Sequence, residues 1–144
     1  MAESEEITIP LLVVEDDADD QFFLQTAFEK IGFGGKVAYV DSARQLFEYL
    51  ERMSATSRYP YAILLDYNMP ATNGEEALVK LKETDSYKDI QVMIYSTSIS
   101  DTQVKQLKDL GAEGCYIKAY SASEIVDFAK VLQQKITNAL SINK

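Results

Sequence analysis

Histidine is absent from these 144 residues. That gap removes imidazole metal ligation, imidazole acid–base catalysis and phosphohistidine chemistry from anything the chain does by itself. Cysteine occurs once, at Cys115, so no internal disulfide can form and a reducing, cytoplasmic setting is expected. No apolar run approaches the roughly 20 residues of a membrane-spanning helix. The opening Met-Ala-Glu-Ser-Glu-Glu lacks the basic region of a secretory leader, so neither membrane nor export is expected. Basic residues are scarce: 14 face 23 acidic ones, and the formal net charge of −9 argues against the basic face that nucleic-acid binding needs. The deficit is concentrated at the start, where nine acidic residues and no lysine or arginine precede Lys30.

With 47% hydrophobic and 26% charged residues, the rest reads as one ordinary globular domain with a proper core. Residues 1–6 read as an acidic tail, 7–140 as the domain and 141–144 as a C-terminal tail. The most informative stretch is Tyr61-Ala-Ile-Leu-Leu-Asp66-Tyr-Asn68-Met-Pro70-Ala-Thr-Asn73-Gly74. An apolar run entering one carboxylate and then a turn predicts a buried parallel strand ending at Asp66. Pro70 cannot extend a central strand, and Asn73-Gly74 marks the passage into a helix. A single aspartate there could simply cap the strand end.

The same alternation runs through the chain. Ile7–Val14 is β-rich and ends on Glu15-Asp16-Asp17. Phe23, Leu24, Ala27, Phe28 and Ile31 recur at helical spacing and stop at Gly32. Lys36–Val40 predicts a second strand. Ser42 with Gln45 predicts a capping box for a helix bearing Leu46, Phe47 and Leu50, and Asn73 with Glu76 another for Ala77, Leu78 and Leu81. Val92–Ser96 is a fourth strand, followed by a helix with Val104, Leu107 and Leu110 before Gly111. Cys115–Lys118 is a fifth strand. Ser121 with Glu124 caps a last helix carrying Ile125, Phe128, Ala129, Leu132, Ile136 and Ala139. Five strands alternating with five helices predict a flavodoxin-like, doubly wound α/β fold with a five-stranded parallel sheet in the order 2-1-3-4-5.

That order brings the carboxyl ends of the strands together: Glu15 and Asp16, Asp66, Ser96, and Lys118. Carboxylates so close need cations. Lys118 supplies one positive charge, and an all-oxygen donor set suits Mg²⁺, which keeps waters and leaves a place for phosphate oxygens.

On these residues the chain resembles the receiver domains of two-component response regulators (the CheY-like family), over nearly its whole length. The run Asp-x-Asn-Met-Pro-x-x-x-Gly, the acidic pair after the first strand and the lysine after the fifth carry the resemblance. The Asp-Asp-x-Asp-Asp run and Ser-Thr-Ser look most like single-domain receivers of the Bacteroidetes type. The resemblance implies that Asp66 is the phosphoacceptor. Asp16 would bind Mg²⁺ directly, Glu15 through water, and Asn68 through its backbone carbonyl. Ser96 and Lys118 would bind the phosphoryl group. It further implies a phosphorelay switch fed by a sensor histidine kinase or phosphotransfer protein. Such a protein works through contacts with a downstream protein, as a monomer or weak dimer, and is not a turnover enzyme.

Two positions depart from the family pattern. Ala119 stands where the family has proline after the lysine. A cis bond there would cost about 2.5–4 kcal/mol, so trans is expected. Cys115 stands where the family has its switch aromatic, and Tyr116 is expected on the opposite face of the sheet. These departures favour the alternative of a receiver-shaped scaffold that binds a partner without phosphorylation. A dehalogenase-type phosphatase needs a second acid where Asn68 stands. A flavodoxin would need a phosphate loop where Glu15-Asp16-Asp17 would repel phosphate.

Overall fold

The computed structural model describes residues 9–69 and 73–142. The acidic segment 1–6, Ile7, Thr8 and Pro70 lie outside the described residues, as do the last two positions of the expected C-terminal tail. In chain order the elements are β1 (Leu11–Val14), α1 (Ala18–Lys30), a short 3-10 turn (Gly34–Lys36), β2 (Val37–Val40), α2 (Ala43–Met53) and β3 (Ala62–Asp66). They continue with α3 (Gly74–Glu83), β4 (Gln91–Ser96), α4 (Asp101–Asp109), β5 (Gly114–Ile117) and α5 (Ala122–Ile142). The strands form one parallel sheet in the order β2-β1-β3-β4-β5.

Strand alternation divides the core. Leu12, Val14, Ile63, Leu65, Val92 and Ile94 face α2, α3 and α4, while Leu11, Val13, Leu64 and Met93 face α1 and α5. Because both faces are covered, the central strands are apolar without a break, as a buried parallel sheet requires. Cys115 packs on the first face and Tyr116 on the second, as alternation predicts.

Several boundaries differ from the sequence reading. β1 begins at Leu11: Pro10 has no N–H to donate, although its carbonyl accepts from the Ala62 N–H at 3.0 Å. β5 ends at Ile117, so Lys118 stands just beyond the strand, its N–H donating to the Ser96 carbonyl at 2.8 Å. α5 continues to Ile142, into the stretch expected as a tail from residue 141. On α1 only Leu24, Ala27 and Phe28 are buried; Phe23 is 49% exposed, and the adjacent Phe22 61%. Leu110 is likewise exposed beyond the end of α4. The Ser42 box is half formed: the Ser42 hydroxyl accepts from the Gln45 N–H, but the Gln45 side chain accepts from Asp41 rather than Ser42.

Other caps form as the sequence suggests. Asn73 and Glu76 exchange both bonds, and Ser121 and Glu124 do the same. Asp17 caps α1 by accepting from the Asp19 and Asp20 N–H groups, which explains part of the acidic run locally. Gly74, the first residue of α3, lies against the chain that carries Asp66. A Cβ there would stand 2.8 Å from both the Asp66 carbonyl oxygen and the Tyr67 Cα. Backbone cannot swing aside as a flexible side chain can, so Gly74→Ala is expected to lower stability by about 1–3 kcal/mol. Chemical denaturation checks this, and an unchanged midpoint would contradict the packing described.

Candidate functional site

Parity builds the site. Glu15 continues β1 in step with Leu11 and Val13, Asp66 keeps step with Leu64, and Tyr95 with Met93; Lys118 extends the row of Tyr116. All four are therefore directed to the α1/α5 side at the carboxyl edge of the sheet. Asp66 and Tyr95 are paired across β3 and β4. Ser96 has the opposite parity and lies toward the β3–α3 loop.

The Lys118 ammonium is the hub. Its Nζ lies 3.0 Å from Glu15 Oε1, 3.3 Å from Asp66 Oδ2 and 3.3 Å from Asp20 Oδ2. It also stands 4.9 Å from the centre of the Tyr95 ring. Glu15 and Asp66 are buried, with Lys118 only 11% exposed. Glu15 accepts from the Tyr95 hydroxyl at 2.5 Å on Oε1 and from the Asp17 N–H at 2.9 Å on Oε2. Asp66 Oδ1 accepts from the Asn68 N–H at 2.9 Å. The Ser96 hydroxyl is 2.7 Å from both Asn68 Oδ1 and the Ser98 carbonyl oxygen. Having one proton, it can give a full hydrogen bond to only one of them at a time.

The structure thus brings together Glu15, Asp16, Asp66 and Lys118, with Ser96 and Asn68 linked on the other side of Asp66. Two members escaped the sequence reading. Asp20, within the Asp-Asp-x-Asp-Asp run, lies one helical turn beyond Asp16 and meets Lys118. Tyr95 lies inside the fourth strand, paired with Asp66, and its hydroxyl reaches Glu15. The Lys118–Ala119 peptide is trans, since no cis bond occurs among the described residues.

Carboxylate oxygens of Glu15, Asp16 and Asp66 lie within 4.8 Å of one another. Three hard oxygen donors, two of them buried and one exposed, fit a divalent cation that retains waters on its open side. The charges within the pocket agree. Burial pushes the Asp66 carboxyl up to about 7, and the neighbouring Glu15 adds to this, while the Asn68 N–H and Lys118 oppose it. Burial also pushes Glu15 upward, but hydrogen bonds from Tyr95, the Asp17 N–H, Asp66 and Lys118 outweigh it and hold Glu15 below the usual range. Of this pair, Asp66 holds the proton more tightly. Burial pulls Lys118 down, yet Glu15, Asp66 and Asp20 together keep it above an ordinary lysine.

Residues 11–130 match the profile of the response regulator receiver domain. Among curated proteins, the transcriptional regulatory protein PrrA of Mycobacterium tuberculosis is 34% identical over 131 residues. The match covers 90% of this chain but 52% of PrrA, so the chain spans about half of that relative. The probable methanogenesis regulatory protein FilR2 of Methanothrix harundinacea is 27% identical over 80% of this chain and 75% of its own. Among solved structures, the phosphorylated cyanobacterial phytochrome response regulator RcpA superposes with a TM-score of 0.74 at 29% identity, covering 86% of this chain and 90% of that one.

The raised Asp66 carboxyl has a consequence for stability without metal. From 3.8, the ordinary value, up to about 7, the folded protein holds a proton that the unfolded chain has released. The unfolded state binds fewer protons there, so this group's contribution to stability falls as pH rises through that window. Asp66→Asn removes the effect. In metal-free buffer near pH 8 the variant is expected to be more stable than the parent by roughly 1–3 kcal/mol, with the gap closing toward about pH 4. Denaturation midpoints across that range check it, and a gap independent of pH would contradict it.

Proposed function

Because the chain belongs to the response regulator receiver family, we propose that it is a Mg²⁺-dependent phosphorelay switch in which Asp66 accepts a phosphoryl group from a phosphohistidine outside this chain. One observation carries the reading: a buried strand-end carboxylate is flanked by a lysine at 3.3 Å, and the oxygens of two further acids lie within 4.8 Å. The sequence contains no histidine, so the donor imidazole belongs to a sensor kinase or phosphotransfer protein.

In the transfer, an ionised Asp66 oxygen attacks phosphorus in line, the P–O bond forms, and the P–N bond to the donor imidazole breaks. Glu15, Asp16, Asp66 and the Asn68 backbone carbonyl would hold Mg²⁺. When bound, the ion neutralises charge on the pocket acids and on the phosphoryl oxygens. Lys118 pairs with a phosphoryl oxygen, and the Ser96 hydroxyl donates a hydrogen bond to another in place of Asn68 or Ser98. The Asn68 N–H steadies the nucleophile's other oxygen. Water later hydrolyses the acyl phosphate and ends the signal, so the cycle is that of a self-resetting switch rather than a turnover enzyme. A partner protein in the cytoplasm reads the changed loops around Ser96–Ser100 and Lys118–Tyr120. The protein acts as a monomer or weak dimer.

Intact-mass analysis after incubation with acetyl phosphate and Mg²⁺ tests the proposal. The parent protein is expected to gain one phosphoryl group, while Asp66→Asn and the chelator-treated parent gain none. An unlabelled parent, or equal labelling of Asp66→Asn, would refute it; the former outcome would leave the phosphorylation-independent scaffold.

A further inference from the structure

Tyr95 sits at a crossing of three contacts. Its hydroxyl donates to Glu15 Oε1 at 2.5 Å, its ring lies under the Lys118 ammonium at 4.9 Å, and the ring also stacks on Phe128 of α5 at 6.3 Å and 22°. The residue is buried. Glu15 has both oxygens engaged: Oε2 takes the Asp17 N–H, and Oε1 is shared by Tyr95 and Lys118 at 3.0 Å. The two donors on Oε1 differ in kind. The phenol is fixed by a ring locked in the core, whereas the ammonium ends a flexible stem and already lies 3.3 Å from Asp66.

We infer that Tyr95 is a positioning residue of the acid pocket: its hydroxyl fixes the Glu15 carboxylate for the divalent cation and keeps it satisfied when Lys118 turns toward a phosphoryl group on Asp66. This rests on reading Asp66 as the Mg²⁺-dependent phosphoacceptor. Without the Tyr95 hydroxyl, the turn would leave Glu15 Oε1 with no donor, and a buried charge left half-satisfied opposes it. With Tyr95 in place, Lys118 can exchange partners while Glu15 keeps a donor on each oxygen. Hydrogen bonds that orient a metal-binding carboxylate commonly govern affinity, with losses of roughly 10- to 100-fold when removed.

The test is a titration with Mg²⁺ alone, followed by the backbone amide resonances of Asp17 and Asn68. Three proteins are compared: the parent, Tyr95→Phe and Phe128→Leu. Tyr95→Phe keeps the ring and removes only the donor, and Phe128→Leu loosens the stacking but leaves the hydroxyl. The expected result is saturable binding by the parent, affinity about tenfold weaker in Tyr95→Phe, and affinity within about twofold of the parent in Phe128→Leu. Equal affinity in Tyr95→Phe would overturn the inference while leaving the phosphoacceptor reading intact. Equal weakening in both variants would also overturn it, since packing rather than the hydroxyl would then be responsible. Absence of saturable binding by the parent would remove the Mg²⁺-dependent reading and this inference with it.

Discussion

One ammonium group among three carboxylates organises this molecule's functional edge. Lys118 reaches Glu15 just past β1, Asp20 in the first turn of α1 and Asp66 at the end of β3 from a position just past the last strand. Nothing local would hold such a cluster together. The acids repel one another, and Glu15 and Asp66 are buried, where an ionised carboxylate is most costly. The arrangement persists because the apolar residues of β1, β3 and β4 beneath it are buried between two helical layers, which fixes where the strand ends lie. The pocket therefore stores an excess of negative charge that a divalent cation or a lysine can answer.

The same logic explains the division of labour among the acids after β1. Glu15 is drawn inward by strand parity and held by donors on both oxygens. Asp16 stays exposed at the mouth, near enough to share an ion with Glu15 and Asp66. Asp17 turns away to cap α1, and Asp20 returns one helical turn later to meet Lys118. A run that looks like undifferentiated charge thus divides by backbone direction into a buried anchor, an exposed carboxylate at the mouth, a helix cap and a counter-ion.

Much of this was legible in the sequence because its signals were periodic. The apolar runs of β1, β3 and β4 end on polar residues, Gly32 and Gly111 follow α1 and α4, and parity separates Cys115 from Tyr116. What escaped was what periodicity cannot carry. Tyr95 fits an apolar strand pattern by its ring, and nothing in the pattern says that its hydroxyl finds an acid from another strand. Phe23 belongs to the helical stripe of α1 yet is 49% exposed, so helical spacing overstates its burial. The Ser42 box failed in one half because the neighbouring Asp41 N–H captured the Gln45 side chain.

The central claim is that the resting clasp of Lys118 on Glu15 and Asp66 is the state from which a phosphoryl group draws the lysine. A crystal structure with Mg²⁺ and beryllium trifluoride, a tetrahedral stand-in for a phosphoryl group, tests this directly. The expected structure has the beryllofluoride adduct on Asp66, Lys118 Nζ paired with a fluorine and withdrawn from Glu15, and the Tyr95 hydroxyl still on Glu15. An adduct on Asp66 with Lys118 still on Glu15 and no contact to fluorine would contradict it.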